Sequence, residues 1–103
     1  MNDLQVSVII PIYNGEAFLR DSIGSVRGQS QSNIGTIIVN DGSQDDSEAL
    51  VRDLFPTTRV ITQHNQGAAT ARNAGIEVAR GEFVAFLDCD DVWDANKLDL
   101  HIK

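Results

Sequence analysis

The chain has 103 residues, 42% of them hydrophobic and 22% charged, which allows one domain with one modest core and argues against a disordered, collagen-like or membrane-embedded chain. Eight Lys and Arg against fifteen Asp and Glu leave a formal charge of -7, which argues against nucleic acid as a partner because that binding runs on clustered basic residues. Cys89 is the single cysteine, the start MNDLQ lacks the layout of a signal peptide, and no apolar run approaches a membrane span, so the sequence predicts a soluble chain in the reducing cytoplasm.

In chain order, LQVSVIIPIY (4–13) is an almost continuous β-branched apolar run, the pattern of a strand buried on both faces, with Pro11 predicted to end its regular pairing. EAFLRDSIGSVRGQ places Phe18, Leu19, Ile23 and Val26 at helical spacing between Gly15 and Gly28, and Gly24 weakens that helix without forbidding it. GTIIVND (35–41) is a second buried strand, followed by a helix capped by Ser43 or Asp45 and stopped by Pro56. TRVITQ is a short third strand, NQGAATARNAGIEVARG an Ala-rich helix ending at Gly81, and EFVAFLD a fourth strand. This alternation predicts an α/β fold, a Rossmann-like, mostly parallel sheet flanked by helices on both faces. There is no internal repeat or linker, so residues 1–103 read as part of one domain, and LDLHIK reads as an amphipathic helix cut short at the C-terminal end.

Ligands of open α/β sheets sit beyond the carboxyl ends of the strands, and PIYN, NDGS and DCDD each follow a strand. Three polar loops are therefore predicted to converge on one edge. Asp88 and Asp90 form a D-x-D, and in an extended segment residues two apart point the same way, so both carboxylates can face one hard cation such as Mn²⁺ or Mg²⁺. Taken alone, the pair is more simply read as acids capping a helix that starts near Trp93. Asp41 beside Gly42 can accept hydrogen bonds from a planar base or a sugar edge, or it can merely close an Asp-Gly turn. Cys89 reads as a small packing residue, and His64 and His101 join no triad pattern. Neither G-x-x-x-x-G-K-S/T nor G-x-G-x-x-G occurs, which argues against P-loop hydrolysis and dinucleotide oxidoreduction. The acidic loop instead suggests a metal bridging carboxylates to ligand phosphates. Arg72, set in a polar loop-to-helix segment, can reach those phosphates or Asp41, or can stand as a surface helix Arg.

Four segments, VSVIIPIYNGEAFL, IIVNDGSQDDS, NQGAATARNAGIEVARGEF and FVAFLDCDDVWDANKL, resemble in order the motifs of the inverting nucleotide-sugar glycosyltransferases with the GT-A fold. These are the opening strand with its P-x-Y-N turn, V-D-D-G-S-x-D-x-S, N-x-G-x-x-x-A-R-N-x-G, and the D-x-D with its D-x-W-x-x-x-K-L continuation. The family, of the family 2 type, includes cellulose and chitin synthases and many bacterial polysaccharide enzymes. The resemblance covers nearly the whole chain and implies the N-terminal, donor-binding part of that fold. It implies that Pro11, Tyr13 and Asn14 belong to the nucleotide pocket and that Asp41 partners the base. Asp88 would face the ribose or the metal, Asp90 would hold the metal on the diphosphate, and Arg72 would lie near the donor. Asn40 replaces the first acid of the usual pair, Cys89 a common Ser and Ala95 a common Pro.

The same resemblance implies metal-dependent sugar transfer, in polysaccharide or cell-surface glycan synthesis. The donor would be a nucleotide-diphosphate sugar, a UDP-sugar favoured, and the acceptor a hydroxyl on a glycan or lipid-linked molecule, in the cytoplasm or at the inner face of the membrane. The family's catalytic base and most of its acceptor site lie in a following segment, so the base is expected beyond Lys103. These 103 residues are then expected to bind donor weakly, to transfer no sugar alone and to self-associate. Two other readings stand beside this one. A receiver-like signalling domain shares the alternation but puts paired acids after the first strand, where this chain has PIYN, whereas a non-catalytic nucleotide-sugar-binding module would carry the same residues.

Overall fold

Strands and helices alternate in the predicted order: β1 (Val6–Ile12), α1 (Glu16–Arg27), β2 (Ile34–Asn40), α2 (Ser47–Leu54), β3 (Arg59–Thr62), α3 (Ala68–Val78) and β4 (Phe83–Phe86). The structure is a computed structural model and describes residues 6–29, 34–56 and 58–88. The expected capped helix near Trp93 and the amphipathic LDLHIK lie outside the described residues. All pairings are parallel, in the order β3-β2-β1-β4. β1 thus has a neighbour on each side and helices over both faces, which is why its sequence is apolar without alternation.

The period of two survives in what each β1 side chain touches. Val6, Val8, Ile10 and Ile12 pack with Leu19, Ile23 and Val26 of α1 and with Val51 of α2. Ile9 points to the other face, where it meets Ile37, Val39 and Ala71 of α3. α3 lies so close that a Cβ on Gly75 would sit 2.5 Å from Ile9 Cγ2. The Ala- and Gly-rich composition of this helix therefore sets its approach to the sheet, and a larger side chain at Gly75 would force it outward.

Four expectations are revised. Pro11 ends only half of the β1 pairing: the Leu87 N–H donates to the Ile9 carbonyl at 3.1 Å and the Asp41 N–H to the Ile12 carbonyl at 2.8 Å, so odd residues of β1 face β4 and even residues face β2. The next donor toward β4 would be the missing N–H of Pro11, and that ladder stops at Ile9, while the β2 ladder continues to Ile12 and Asn40. α2 begins later than Ser43 or Asp45 would set it, with Asp46 at its N-cap and no side-chain cap. Asp45 Oδ1 instead accepts the Ser47 N–H at 3.0 Å, closing the turn before the helix. α3 ends at Val78, short of Gly81, because Ser7 Oγ accepts the N–H groups of Arg80 (3.2 Å) and Gly81 (2.8 Å) and draws the chain onto the start of β1. Finally, the buried stripe of α1 is Leu19, Ser22, Ile23 and Val26, without Phe18.

Candidate functional site

The chain builds outward from β1 to β3 and then crosses back to place β4 on the other side of β1. At such a reversal the loops after adjacent strands diverge and leave a crevice at the carboxyl ends. A cavity of about 270 Å³ lies there. Pro11, Tyr13 and Asn14 line it from the end of β1, Asp41 from the end of β2 and Asp88 from the end of β4, with Ala68 of α3 and Phe18 of α1 completing the walls. Arg72, one turn beyond Ala68 on the same face of α3, reaches the rim, where its guanidinium Nη2 lies 3.2 Å from Asp88 Oδ1. The structure therefore pairs Arg72 with Asp88 rather than Asp41. Asp90, Cys89 and His101 lie outside the described residues, and among the described residues no group of three or more His, Cys, Asp or Glu gathers as a metal-ligand set.

Asp41 is almost fully buried and heavily hydrogen-bonded. Its Oδ1 accepts from Gln63 Nε2 and from the Gln66 N–H, both at 2.8 Å, and its Oδ2 accepts the Gly67 N–H at 3.0 Å. The Asn65 side chain also donates to its carbonyl at 3.1 Å. Burial pushes this carboxyl upward, but the three donors outweigh burial and leave it below the ordinary value of 3.8. One anionic side chain thus shapes the whole β3–α3 loop. Gly42 makes room for that loop: its φ is +79°, and a Cβ there would meet the Asn65 nitrogen at 2.8 Å.

The loops after β1 and β2 are fastened to each other by polar side chains. Asn14, at φ +51°, accepts the Gln44 N–H on its Oδ1 at 2.7 Å, and its own N–H donates to Ser43 Oγ at 2.9 Å. The Gly15 N–H donates to Ser47 Oγ at 3.1 Å, the Glu16 N–H to Asp45 Oδ2 at 3.1 Å, and the Asp46 N–H to Glu16 Oε1 at 3.2 Å. Burial raises the Asp45 carboxyl, and the Ser47 hydroxyl and N–H with the Glu16 N–H more than offset it, so this acid too is held low. Asn40, which stands where the family pattern has an acid, donates from Nδ2 to Glu48 Oε1 at 3.2 Å and accepts the Ser43 N–H on Oδ1 at 3.0 Å. An aspartate there would place two carboxylates in contact.

Sequence reasoning missed Gln63, Gln66 and Gly67 as the groups that hold Asp41, because a loop backbone leaves no periodic signal. It also grouped Phe18 at helical spacing with Leu19, Ile23 and Val26, although Phe18 lies outside the buried stripe. The signal was present, since Leu19, Ser22, Ile23 and Val26 already complete a one-sided stripe at spacings of three and four.

The model for glycosyl transferase family 2 matches residues 7–103. The chain is 40% identical over 106 residues to the Escherichia coli UDP-Glc:alpha-D-GlcNAc-diphosphoundecaprenol beta-1,3-glucosyltransferase WfgD, a match covering 100% of this chain and 42% of that protein. Staphylococcus aureus TarS 1-349 in complex with UDP-GlcNAc superposes with a TM-score of 0.79 at 28% identity, covering 96% of this chain and 30% of that one. The mannosyltransferase PcManGT from Pyrobaculum calidifontis, in complex with GDP-Man and Mn²⁺, superposes with a TM-score of 0.78 at 25% identity, covering 88% of this chain and 29% of that one. The chain spans 15% of the length of an uncharacterized glycosyltransferase of Rickettsia bellii and 43% of one of Haemophilus influenzae, so it covers less than half of these curated relatives. Four parallel strands with helices on both faces, a crevice at the strand reversal and a family model spanning nearly every residue lead to one assignment: the chain belongs to glycosyl transferase family 2 and forms an N-terminal part of its GT-A fold.

Proposed function

We propose that these residues are the donor-binding half of an inverting glycosyltransferase that moves a sugar from a nucleotide-diphosphate sugar, a UDP-sugar favoured, to an acceptor hydroxyl in glycan synthesis. The observation that carries the reading is the convergence of Pro11, Tyr13, Asn14, Asp41 and Asp88 on one cavity, with Arg72 at its rim. The UDP-sugar preference is supported by the names of WfgD and of the TarS complex. In this reading Asp41 holds the loop beside the base and presents its remaining lone pairs to the base edge. Tyr13 and Pro11 supply apolar walls, and Arg72 provides a cation near the phosphates.

The donor set at the rim suits a hard divalent cation. Asp88 offers carboxylate oxygens, its side chain is 58% exposed, and its one polar partner among the described residues is Arg72. A Mn²⁺ or Mg²⁺ ion held by Asp88 with Asp90 would supply the positive charge that offsets the diphosphate in a chain of net charge -7. The catalytic base is proposed to lie outside these residues; Asp45, one acid that could otherwise serve, is committed to Ser47 and the Glu16 N–H.

Calorimetric titration with UDP, GDP and CDP, each with Mn²⁺ and with chelator, tests the proposal. One preferred base and loss of binding in chelator are expected. Equal affinity with and without metal would sink the metal assignment and leave Arg72 as the phosphate-binding group. Absence of binding to every nucleoside diphosphate would overturn the donor-site reading itself.

A further inference from the structure

We infer that Phe18 is a further donor-contacting residue, forming with Tyr13 an aromatic wall against the nucleoside ring; this rests on the donor-site reading above. Phe18 lies on the first turn of α1, outside the buried stripe, and is 50% exposed, while Tyr13 across the same cavity is 49% exposed. A half-exposed phenylalanine forgoes much of the stabilisation that burial would bring, and the core of α1 is complete without it. Both rings line the cavity that also holds Asp41 and Asp88. The backbone beneath Phe18 is fixed in advance, since its N–H donates to the Gly15 carbonyl at 2.9 Å and the Gly15 N–H is held by Ser47 Oγ. Two apolar rings beside one buried carboxylate suit a flat heterocycle with a polar edge: its faces meet carbon, and its edge meets Asp41. The cavity, about 270 Å³, lies at the small end of ligand pockets and has room for the nucleoside part of a donor.

The test compares UDP binding in the presence of Mg²⁺ for the wild-type chain, Phe18→Ala and Phe18→Tyr, with inorganic pyrophosphate as a ligand that has no base. Stacking on one aromatic side chain typically changes affinity by about tenfold or more. Phe18→Ala is therefore expected to weaken UDP about tenfold, to leave pyrophosphate unchanged, and to reduce saturation transfer from the protein's aromatic protons to the uracil H5 and H6 to the part that Tyr13 supplies. Phe18→Tyr is expected to restore both affinity and transfer. Because Phe18 is half exposed, its loss should leave the melting temperature within a few degrees of wild type, so a failure to fold does not mask the result. Unchanged UDP affinity in Phe18→Ala, or equal weakening of UDP and pyrophosphate, overturns the inference while the donor-site reading stands. A wild-type chain that binds no nucleoside diphosphate overturns both.

Discussion

Asp41 and Asp88 occupy matching places in the fold and do opposite things. Each follows a strand paired with β1, and each lines the same cavity. Asp41 is buried and held by three donors from the β3–α3 loop, whereas Asp88 stands at the rim with one half-buried arginine for a partner. The strand order explains the difference. β2 has β3 on its outer side, so the loop leaving β3 closes over the end of β2, whereas β4 forms the edge of the described sheet and exposes Phe83, Val84 and Phe86. A carboxylate under a neighbouring loop becomes part of the scaffold, and one at the sheet edge keeps its oxygens for a ligand.

The largest effect should come from Asp41→Ala. It strands three loop donors, and at about 1–3 kcal/mol for each buried group left unpaired the loss of stability should reach about 3 kcal/mol or more in urea denaturation. A loss below about 1 kcal/mol would show that the loop keeps its shape unaided. Asn40→Asp should cost about 1 kcal/mol at pH 7, because it replaces a hydrogen bond to Glu48 with a partly buried like-charge contact that solvent screens in part. Its cost should shrink as the pH falls toward 4 and one of the two acids takes up a proton. A pH-independent cost would refute the contact.

At Asp88 the expected response is the reverse of that at Asp41. Asp88→Ala should change stability by no more than about 0.5 kcal/mol, as for an exposed ion pair, while weakening metal-dependent UDP binding at least tenfold. If stability and binding fall together, Asp88 is scaffold and the contrast fails. Acid titration separates the two regions in another way. The folded Asp41 and Asp45 carboxyls lie below the ordinary value of 3.8, so the unfolded chain binds protons first on acidification. Their contribution is complete well above pH 3.8 and disappears as the pH falls through the lower folded values. The melting temperature should therefore drop steeply below about pH 4, and Asp41→Asn should flatten that slope, whereas Asp88→Asn should leave it unchanged. The smallest effect is expected at the exposed Arg52–Glu48 pair, where Arg52→Ala should cost about 0.3–0.5 kcal/mol, as for other i,i+4 helix pairs.

Much of this was legible in the residues. The apolar runs around Val8, Ile38 and Phe86 gave three of the strands in place, and the β-branched density of β1 marked it as central. The segments PIYN, NDGS and DCDD stand out because each polar cluster follows a strand, and it is the family resemblance that assigns Pro11, Tyr13, Asn14, Asp41 and Asp88 within them to the donor site. Asn14 illustrates the limit. The resemblance assigns it to the nucleotide pocket and it lines the cavity at the strand ends, but its side chain is spent on the Gln44 N–H, a bond thirty residues away that no local pattern encodes. Asp45 was read, with Ser43, as a candidate helix cap, yet its Oδ2 accepts the Glu16 N–H at the start of α1.

The sequence by itself determined the alternation of elements, the parallel sheet and the edge at which the polar loops gather, because periodicity, apolar density and turn chemistry act over a few residues and survive in any context. Only the tertiary structure decided how each carboxylate is used. Whether Asp41 supports a loop or Asp88 faces solvent depends on which strand lies beside which, and whether Phe18 closes the core or walls the cavity depends on how much of α1 the sheet can cover. Those outcomes come from contacts between segments far apart in the chain, where desolvation and hydrogen-bond supply, rather than residue type, set what an acid or an aromatic ring can do.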